Sequence, residues 1–351
     1  MFKRVVLVFV GLVYSFALSA VQVDKLYQSV ASVKTQSPDE RSVAFTETLQ
    51  HVLLKVSGDK SVLSHPAIAA EISSAERYVL QYGYVSTDNP DFPYKLNVSF
   101  IEKSIQQLLS SNGLPIWGSN RPSVLFWLAI EAEGARSVIS SSVDNELIAE
   151  IESQSAYRGL PLYLPVMDLQ DSSALSVSDL WGLFMDPVVK ASARYNPDAV
   201  VAMQLYQSTL GEWKGRWTLQ RNGSAFSALV QAATKQEAVT QAINDVASIL
   251  ASQYAVSGDS AGNNDRLEIE ISNVGSYADY VELYKYVESL SPVVWSQVIW
   301  VKEDQVRIRL QTSGSIEQFE QHVSLDSKIK PEMASVGEAG DSFRLYYRWQ
   351  P

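Results

Sequence analysis

The sequence predicts a multidomain protein that combines α+β and α/β architecture. Clusters of Gly, Pro, Ser and Asn at 112–122 and 257–264 divide the 351 residues into three blocks. The middle block opens with a strongly apolar strand and then alternates helices and strands, which predicts a mixed sheet covered by helices. The last block has the order β-α-β-β-α-β, which is typical of a ferredoxin-like domain.

The length exceeds that of one usual domain and favours two or three. The breaks in composition place their boundaries. We expect a signal peptide at 1–20, an N-terminal α+β domain at 21–114, an α/β domain at 120–256, a linker at 257–264 and a ferredoxin-like domain at 265–351.

The first residues have the pattern of a secretory signal peptide. Lys3 and Arg4 form a basic start, Val5–Leu18 is almost uniformly apolar, and the small residues Ser19 and Ala20 follow. A membrane-spanning helix needs about twenty apolar residues, so we expect cleavage after Ser19 or Ala20 and no remaining membrane anchor. Because the chain has no cysteine, neither a lipoprotein-type anchor nor a disulfide is available. A Gram-negative periplasm fits this pattern best.

The N-terminal block predicts the order β-α-α-β-β-α. Its longest helix opens at Pro38, and its apolar residues recur at helical spacing until Gly58 ends it. The other predicted elements are a strand at 25–33, a short helix after Pro66, strands at 78–86 and 94–100, and a helix carrying Ile105, Leu108 and Leu109.

The middle block predicts the order β-α-β-α-β-β-β-α. Its first strand is apolar at every position from Val124 to Ile130, as in a central strand that is buried on both faces. Asn222-Gly223 marks a hairpin turn between its last two strands. We predict strands at 124–130, 160–166, 199–206, 212–220 and 225–231, and helices at 145–157, around 180–188 and at 234–254.

The last block predicts a ladder of charges on one face of its sheet. In the ferredoxin-like order the first strand lies between the third and the fourth. Glu268 and Glu270 then point outward, and the neighbouring strands carry Arg307, Arg309, Arg344 and Arg348 on the same face. This face is either a solvated surface with ion pairs of little energy or a docking face for another domain or partner.

Charge and composition exclude several classes of function. The net charge is −11 and the basic residues are scattered, which excludes a nucleic-acid binder that must contact phosphates. His51, His65 and His322 are the only histidines, and they lie in separate segments without the spacing of metal ligands. A Gly-rich phosphate loop is also missing, so we expect neither a metal nor a cofactor.

Two short motifs match catalytic patterns but stand in the wrong context. Gly258–Gly262 fits G-x-S-x-G, which requires a strand before the serine and a helix after it. Here a helix precedes the motif and a polar linker follows. Ser57–Lys60 fits S-x-x-K, but Gly58 ends the helix, so Ser57 and Lys60 cannot share a helical face. We expect a linker and a helix end at these positions.

Carboxylates after two predicted strands leave an enzymatic alternative open. Glu131 and Glu133 end the first strand of the middle block, and Asp168 and Asp171 follow the second. Ligand sites of α/β proteins lie at such strand ends. A general acid and base of the glycosidase kind fits there, which predicts an envelope hydrolase as the alternative function.

The eight tryptophans suggest anchors for a partner. Trp127, Trp295 and Trp300 lie in apolar strands and are expected in the core. Trp117 lies in the first linker, and Trp213 and Trp217 share one face of a strand. Surface aromatic residues favour partner binding, and packing between domains is the other interpretation of these three.

Four runs of sequence together resemble DUF2066, a family of uncharacterised exported proteins of gammaproteobacteria. They are His51–Gly58, Leu114–Ala129, Arg158–Leu162 and Met167–Leu169. Arg121, Arg158 and Asp168 lie in these runs and complete our set of candidate partner-binding residues. Separately, the element order of the middle block is similar to that of the TolB N-terminal domain, CsgG and penicillin-binding-protein activators. The likeness to these envelope proteins is topological and transfers no function.

Together, these features predict a non-enzymatic accessory protein of the cell envelope that acts by binding an envelope protein. The candidate contact residues are the three tryptophans Trp117, Trp213 and Trp217, the arginine set of the charge ladder, and Arg121, Arg158 and Asp168. The hydrolase near Glu131 and Asp168 remains the alternative. Capture of a small ligand in a cleft between the blocks is a third possibility and requires a sizeable apolar cavity.

Overall fold

The computed structural model describes residues 23, 25–142, 146–257, 266–325, 328–332 and 344–350. Within these ranges the chain combines helices with mixed and antiparallel sheets, so the predicted fold class is confirmed. The predicted signal peptide and the G-x-S-x-G motif lie outside the described residues. None of the helices in these ranges has both the length and the apolarity of a membrane span.

The N-terminal block is a three-stranded antiparallel sheet covered by a long helix, in the predicted element order. Its strands lie in the order β1-β3-β2. Helix α1 begins at the cap Ser37, whose side chain accepts from the amide of Glu40, and ends at Gly58 in the left-handed region. The elements are β1 (Gln28–Val33), α1 (Pro38–Ser57), α2 (Pro66–Ile72), β2 (Val79–Ser86), β3 (Tyr94–Phe100) and α3 (Glu102–Ser110).

The middle block contains a mixed sheet in the order β10-β9-β8-β5-β6, with β7 beside the start of β5. Strands β5 and β8 are parallel, and the other neighbours on the main path are antiparallel. The elements are β5 (Val124–Ala132), β6 (Ala135–Ile139), α4 (Glu146–Arg158), β7 (Leu162–Tyr163), α5 (Leu169–Ala174), α6 (Val177–Trp181), α7 (Met185–Ser192), β8 (Ala199–Gln207), β9 (Trp213–Arg221), β10 (Ser224–Ala232) and α8 (Lys235–Tyr254).

Three details of the middle block differ from the prediction. Strand β6 was missed: Glu133 and Gly134, with φ of 52° and 78°, form a tight hairpin that turns β5 back on itself. The predicted strand at 160–166 is reduced to β7, because Pro161 and Pro165 lack the amide donors of a longer ladder. The helical stretch around 180–188 is divided into short helices, and Pro187 lies in the first turn of α7.

Strand β5 is buried on both faces, as its apolar sequence predicts. On one face Phe126 and Leu128 pack with α4 and α8. On the other face Leu125, Trp127 and Ala129 pack with α6 and α7. The middle sheet therefore lies between two layers of helix.

The C-terminal block has the predicted ferredoxin-like neighbours with one addition. Its strands lie in the order β13-β14-β12-β16-β15, so the first strand lies between the third and the last. The added edge strand β15 reverses the chain before β16, and β16 is therefore parallel to β12. The elements are β12 (Arg266–Ser272), α9 (Tyr277–Ser289), β13 (Val293–Lys302), β14 (Gln305–Thr312), α10 (Ile316–Val323), β15 (Ile329–Pro331) and β16 (Arg344–Trp349).

A short strand in the first predicted linker pairs with the residues that follow α8. Strand β4 (Pro115–Ile116) pairs antiparallel with β11 (Val256–Ser257). The next residue after β4, Trp117, donates its amide to the carbonyl of Val56 in α1 at 2.7 Å. Strands β4 and β11 are thus hydrogen-bonded into the fold.

Candidate functional site

The charge ladder on the outward face of the C-terminal sheet is present, as predicted. Arg307 donates through Nε and Nη2 to Glu270 Oε2 at 3.0 and 2.7 Å. Glu268 Oε1 accepts from Arg309 Nη2 at 2.9 Å, and Glu268 Oε2 lies 3.6 Å from Arg344 Nη2. The central strand therefore supplies the carboxylates and both neighbouring strands supply the guanidinium groups.

Glu268 is 8% exposed although it points to the outward face. Two guanidinium groups screen its carboxylate from water, so this network is more strongly coupled than an isolated surface pair. Arg348 lies opposite Ser272 and pairs instead with Glu332, at 3.5 Å. Among the described side chains of this face, the four arginines lie with the carboxylates of Glu268, Glu270 and Glu332.

Two tryptophans lie beside the ladder, where the sequence predicted core residues. Trp295 is opposite Gln311 and is 47% exposed, and Trp300 is opposite Arg307, whose guanidinium lies 4.6 Å from the Trp300 ring. Register shifts at Val293/Trp295 and Val298/Trp300 turn both rings to this face. The shifts follow no sequence signal that we identified, so the prediction missed them. We name this surface the aromatic–arginine face: Trp295, Trp300, Arg307, Arg309, Arg344 and Arg348.

Of the three tryptophans expected as surface anchors, two are fully buried and one is partly buried. Trp117 and Trp217 are fully buried in the core formed by the middle sheet and α8. Trp213 is half-buried and packs against the same core. The apolar side of β9 faces α8, so burial of these rings, rather than partner contact, explains their spacing. The interpretation as packing residues therefore fits them better.

Arg121, a second candidate contact residue, is fully buried at the junction of the first two blocks. Its guanidinium donates to five backbone carbonyls and lies 4.0 Å from the ring of Trp117. The acceptors are the carbonyls of Lys55 and Trp117 at 2.7 Å, Gly118 at 2.8 Å, Gly159 at 2.9 Å and Arg158 at 3.0 Å. Arg121 thus joins the last turns of α1 and α4 and cannot contact a partner.

Arg158 is also fully buried and connects three helices. From the end of α4, its Nη2 donates to the carbonyl of Gly58, 2.8 Å away at the end of α1. Its Nη1 donates to Asn244 Oδ1 in α8, also at 2.8 Å. Burial lowers the pKa of both arginines, while the carbonyl acceptors favour the charged guanidinium. Arg121 and Arg158 therefore hold the junction together.

Glu131 and Asp168, two of the candidate hydrolase carboxylates, lie in separate ion pairs, and Asp171 shares Arg194 with Asp168. Glu131 pairs with Arg136 across the β5–β6 hairpin at 2.7 Å. Asp168 caps α5 and accepts from both Nη atoms of Arg194 at 2.7 and 2.9 Å. Hydrogen bonding to Arg194 lowers the pKa of Asp168 to about 2, whereas a general acid requires a raised pKa. Asp168 is therefore placed to organise the α5 turn rather than to donate a proton.

The histidines do not converge. His322 is buried against the ring of Tyr254, and desolvation lowers its pKa. His51 lies on α1 with its ring 4.8 Å from that of Tyr157. Over the described ranges no group of three or more His, Asp or Glu side chains has the arrangement of a metal site.

One protein-family model matches part of this chain. The model of "Domain of unknown function (DUF8605)" matches residues 20–118. No curated protein matches the chain. Seven chains of solved structure match. One of them, titled "Crystal structure of uncharacterized protein", is 9% identical, covers 38% of this chain and 89% of that chain, and has a TM-score of 0.16.

The resemblance to DUF2066 is therefore wrong, because the matching family is DUF8605, a different family of unknown function. The topological likeness to TolB and CsgG domains is withdrawn with it. The runs that suggested DUF2066 include Lys55, Gly58, Trp117, Arg121 and Arg158, which build the buried junction. These residues pack and hydrogen-bond with one another at that junction.

Proposed function

We propose that this chain is an exported, non-enzymatic accessory protein that binds an acidic surface of an envelope protein through its aromatic–arginine face. The observation that carries the proposal is Trp295, which lies 47% exposed beside the arginine ladder. Exposed tryptophan and arginine are the residue types that contribute most to binding energy in protein interfaces. An acidic partner complements the four arginines of this face.

Export is proposed from the basic start and the apolar run of the first twenty residues. A periplasmic location follows from that proposal. The choice of binding over catalysis is supported by Asp168 and Glu131, since each carboxylate is engaged by an arginine. In the alternative of an envelope hydrolase, Asp168 is unsuited to be the general acid, because hydrogen bonding to Arg194 lowers its pKa to about 2.

A photocrosslinking amino acid placed at 295 in the full chain tests this function in intact cells. Leu229, 69% exposed on β10, is the matched control position. We expect one envelope protein to be crosslinked reproducibly from position 295 and not from position 229. No reproducible product from 295, or the same products from both positions, would overturn the proposal.

A charge reversal tests the acidic character of the partner. Lys330 is exposed on β15 opposite Arg348, and Lys190 is exposed on α7 in the middle block. Lys330→Glu and Lys190→Glu change the net charge equally. We expect only Lys330→Glu to reduce the crosslink from position 295. Equal yields from both variants would contradict electrostatic recognition by this face.

A further inference from the structure

A cleft of about 590 Å³ lies between β1, α1 and the C-terminal end of α4. Its volume lies within the range of cavities that bind small organic molecules. Apolar surface comes from Val30, Val98, Leu160 and Pro161 on its walls. None of the residues that line this cleft belongs to the aromatic–arginine face.

The described residues that line the cleft carry positive charge, although the chain as a whole is negatively charged. The net charge of the protein is −11, yet the described lining residues include Lys25 and Lys55 and no Asp or Glu, and burial lowers the pKa of the third basic lining residue, His51, which favours its neutral form. Glu47, exposed one turn before His51 on α1, is the nearby acidic group whose charge acts on His51 and Tyr157. The described lining of the cleft is therefore cationic.

Two more cations lie directly behind this lining. Gly159 lines the cleft, and a Cβ at this position would lie 2.7 Å from Arg121 Nη1 and 2.8 Å from Lys55 Cγ. Arg121 donates to backbone carbonyls and has no ion-pair partner among the described carboxylates, whereas Asp245 and Asp59 act electrostatically on Arg158. Arg121 also neutralises the carbonyls at the end of α4, which would otherwise repel an anion. An anion in the cleft would offset this buried positive charge.

Polar donors gather at one end of the cleft. Lys55 Nζ donates to the carbonyls of Gln28 at 2.8 Å and Lys25 at 3.4 Å, which uses two of its three N–H groups. Ser29 Oγ lies 3.4 Å from His51 Nδ1. Desolvation lowers the pKa of Lys55 to about 8, so the ammonium is still charged at pH 7. A charged donor thus lies next to an apolar wall.

We infer that this cleft binds a small amphipathic carboxylate. The carboxylate head lies at Lys55, Ser29 and His51, and its apolar body packs on Val30 and Pro161. The absence of Asp and Glu from the described lining disfavours a cationic ligand, and the apolar walls disfavour a fully polar one.

Calorimetric titration of the exported chain tests this inference with defined probes. The probes are octanoate and naphthalene-2-acetate, each against its neutral amide, and octyl phosphate. We expect dissociation constants of about 1 mM or tighter for the carboxylates and at least about tenfold weaker binding of the amides. If octyl phosphate bound as tightly as octanoate, the site would recognise anions in general rather than carboxylates. The assigned head group would then be wrong. Equal binding of acids and amides, or no binding, would also overturn the inference.

Two exposed valines provide a matched pair of variants. Val30 is 48% exposed in the cleft, and Val85 is 54% exposed on β2 outside it. We expect Val30→Asp to weaken octanoate binding at least about fivefold by charge repulsion and Val85→Asp to leave it unchanged. Lys55→Met should abolish the preference for the acid over its amide. Unchanged octanoate binding in folded Val30→Asp would exclude this cleft as the site.

Discussion

Arg121 Nη1 donates a hydrogen bond to the backbone carbonyl of Arg158 at 3.0 Å, and both side chains are fully buried. Each guanidinium lies against the carboxyl end of a helix: Arg121 contacts the last carbonyls of α1 and α4, and Arg158 contacts the carbonyl of Gly58 after α1. The negative ends of two helix dipoles therefore stabilise two buried cations. This arrangement satisfies helix-end carbonyls that have no partners of their own within the helix.

Replacing Arg121 with methionine should destabilise the protein strongly. The variant keeps the volume of the side chain but leaves five buried carbonyls without their donor. An unsatisfied buried polar group costs about 1–3 kcal/mol, so we expect a loss of at least about 3 kcal/mol in the free energy of unfolding. Urea denaturation at pH 7 measures it. Arg216→Met on the exposed side of β9 is the control, and a loss below about 1 kcal/mol for Arg121→Met would contradict the role of Arg121.

Gly58→Ala should also weaken this junction. Gly58 has φ of 70°, and an added Cβ would overlap the Cβ of Ala251 in α8 and approach Trp117. We expect a loss of about 2–4 kcal/mol from backbone strain and overpacking together. Gly223 also has a positive φ, but an added Cβ at this position would meet no atom within 4 Å. Gly223→Ala therefore measures the backbone strain without the overpacking. Equal thermal denaturation midpoints of the two variants would refute close packing at Gly58.

Local sequence signals predicted most of the fold. Ser37, Pro38 and Gly58 bound α1 correctly, since caps and breakers act within a few residues. Strand β6 was missed because Glu133 takes a positive φ that its residue type does not signal. The reversal by β15 was missed for a different reason: it depends on which edge of the sheet the chain reaches, and periodicity carries no such information.

The pKa of Lys55 makes stability depend on pH. Its pKa falls from 10.5 to about 8 on folding because burial desolvates the ammonium. Between pH 8 and 10.5 the unfolded chain binds this proton more strongly, so the free energy of unfolding rises with pH through that window and the gain is lost as pH falls through 8. Between pH 7.5 and pH 9.5 we expect wild type to gain about 1–2 kcal/mol relative to Lys55→Met.

Denaturation at several pH values measures this difference. Lys190→Met, at an exposed position, is the control that should follow wild type. Comparing slopes rather than absolute stabilities removes the cost of the two hydrogen bonds that Lys55→Met loses. Parallel curves for wild type and Lys55→Met would show that Lys55 has an ordinary pKa in the folded protein.

The candidate sites followed from the sequence only in part. Glu268, Glu270 and their arginines were predicted because strand alternation fixes the face of each residue. The cleft was foreseen only in general terms, since Lys55 and Tyr157 are 102 positions apart and meet only when α1 packs on α4. Contacts between blocks depend on tertiary packing, which no local pattern records.

The Glu268–Arg309 pair should be coupled more strongly than an exposed pair. A double-mutant cycle with Glu268→Gln and Arg309→Met isolates the interaction across β12 and β14. We expect a coupling free energy of about 1–2 kcal/mol, because Glu268 is nearly buried and its carboxylate is shared with Arg344. The Lys328–Glu282 pair, in which the carboxylate side chain is 57% exposed, should give about 0–1 kcal/mol in the parallel cycle with Lys328→Met and Glu282→Gln. Urea denaturation at low and high salt measures both cycles, and salt should reduce the exposed coupling more. If the Glu268–Arg309 coupling were no larger than that of the exposed pair, the ladder would be a solvated surface without a built-in network.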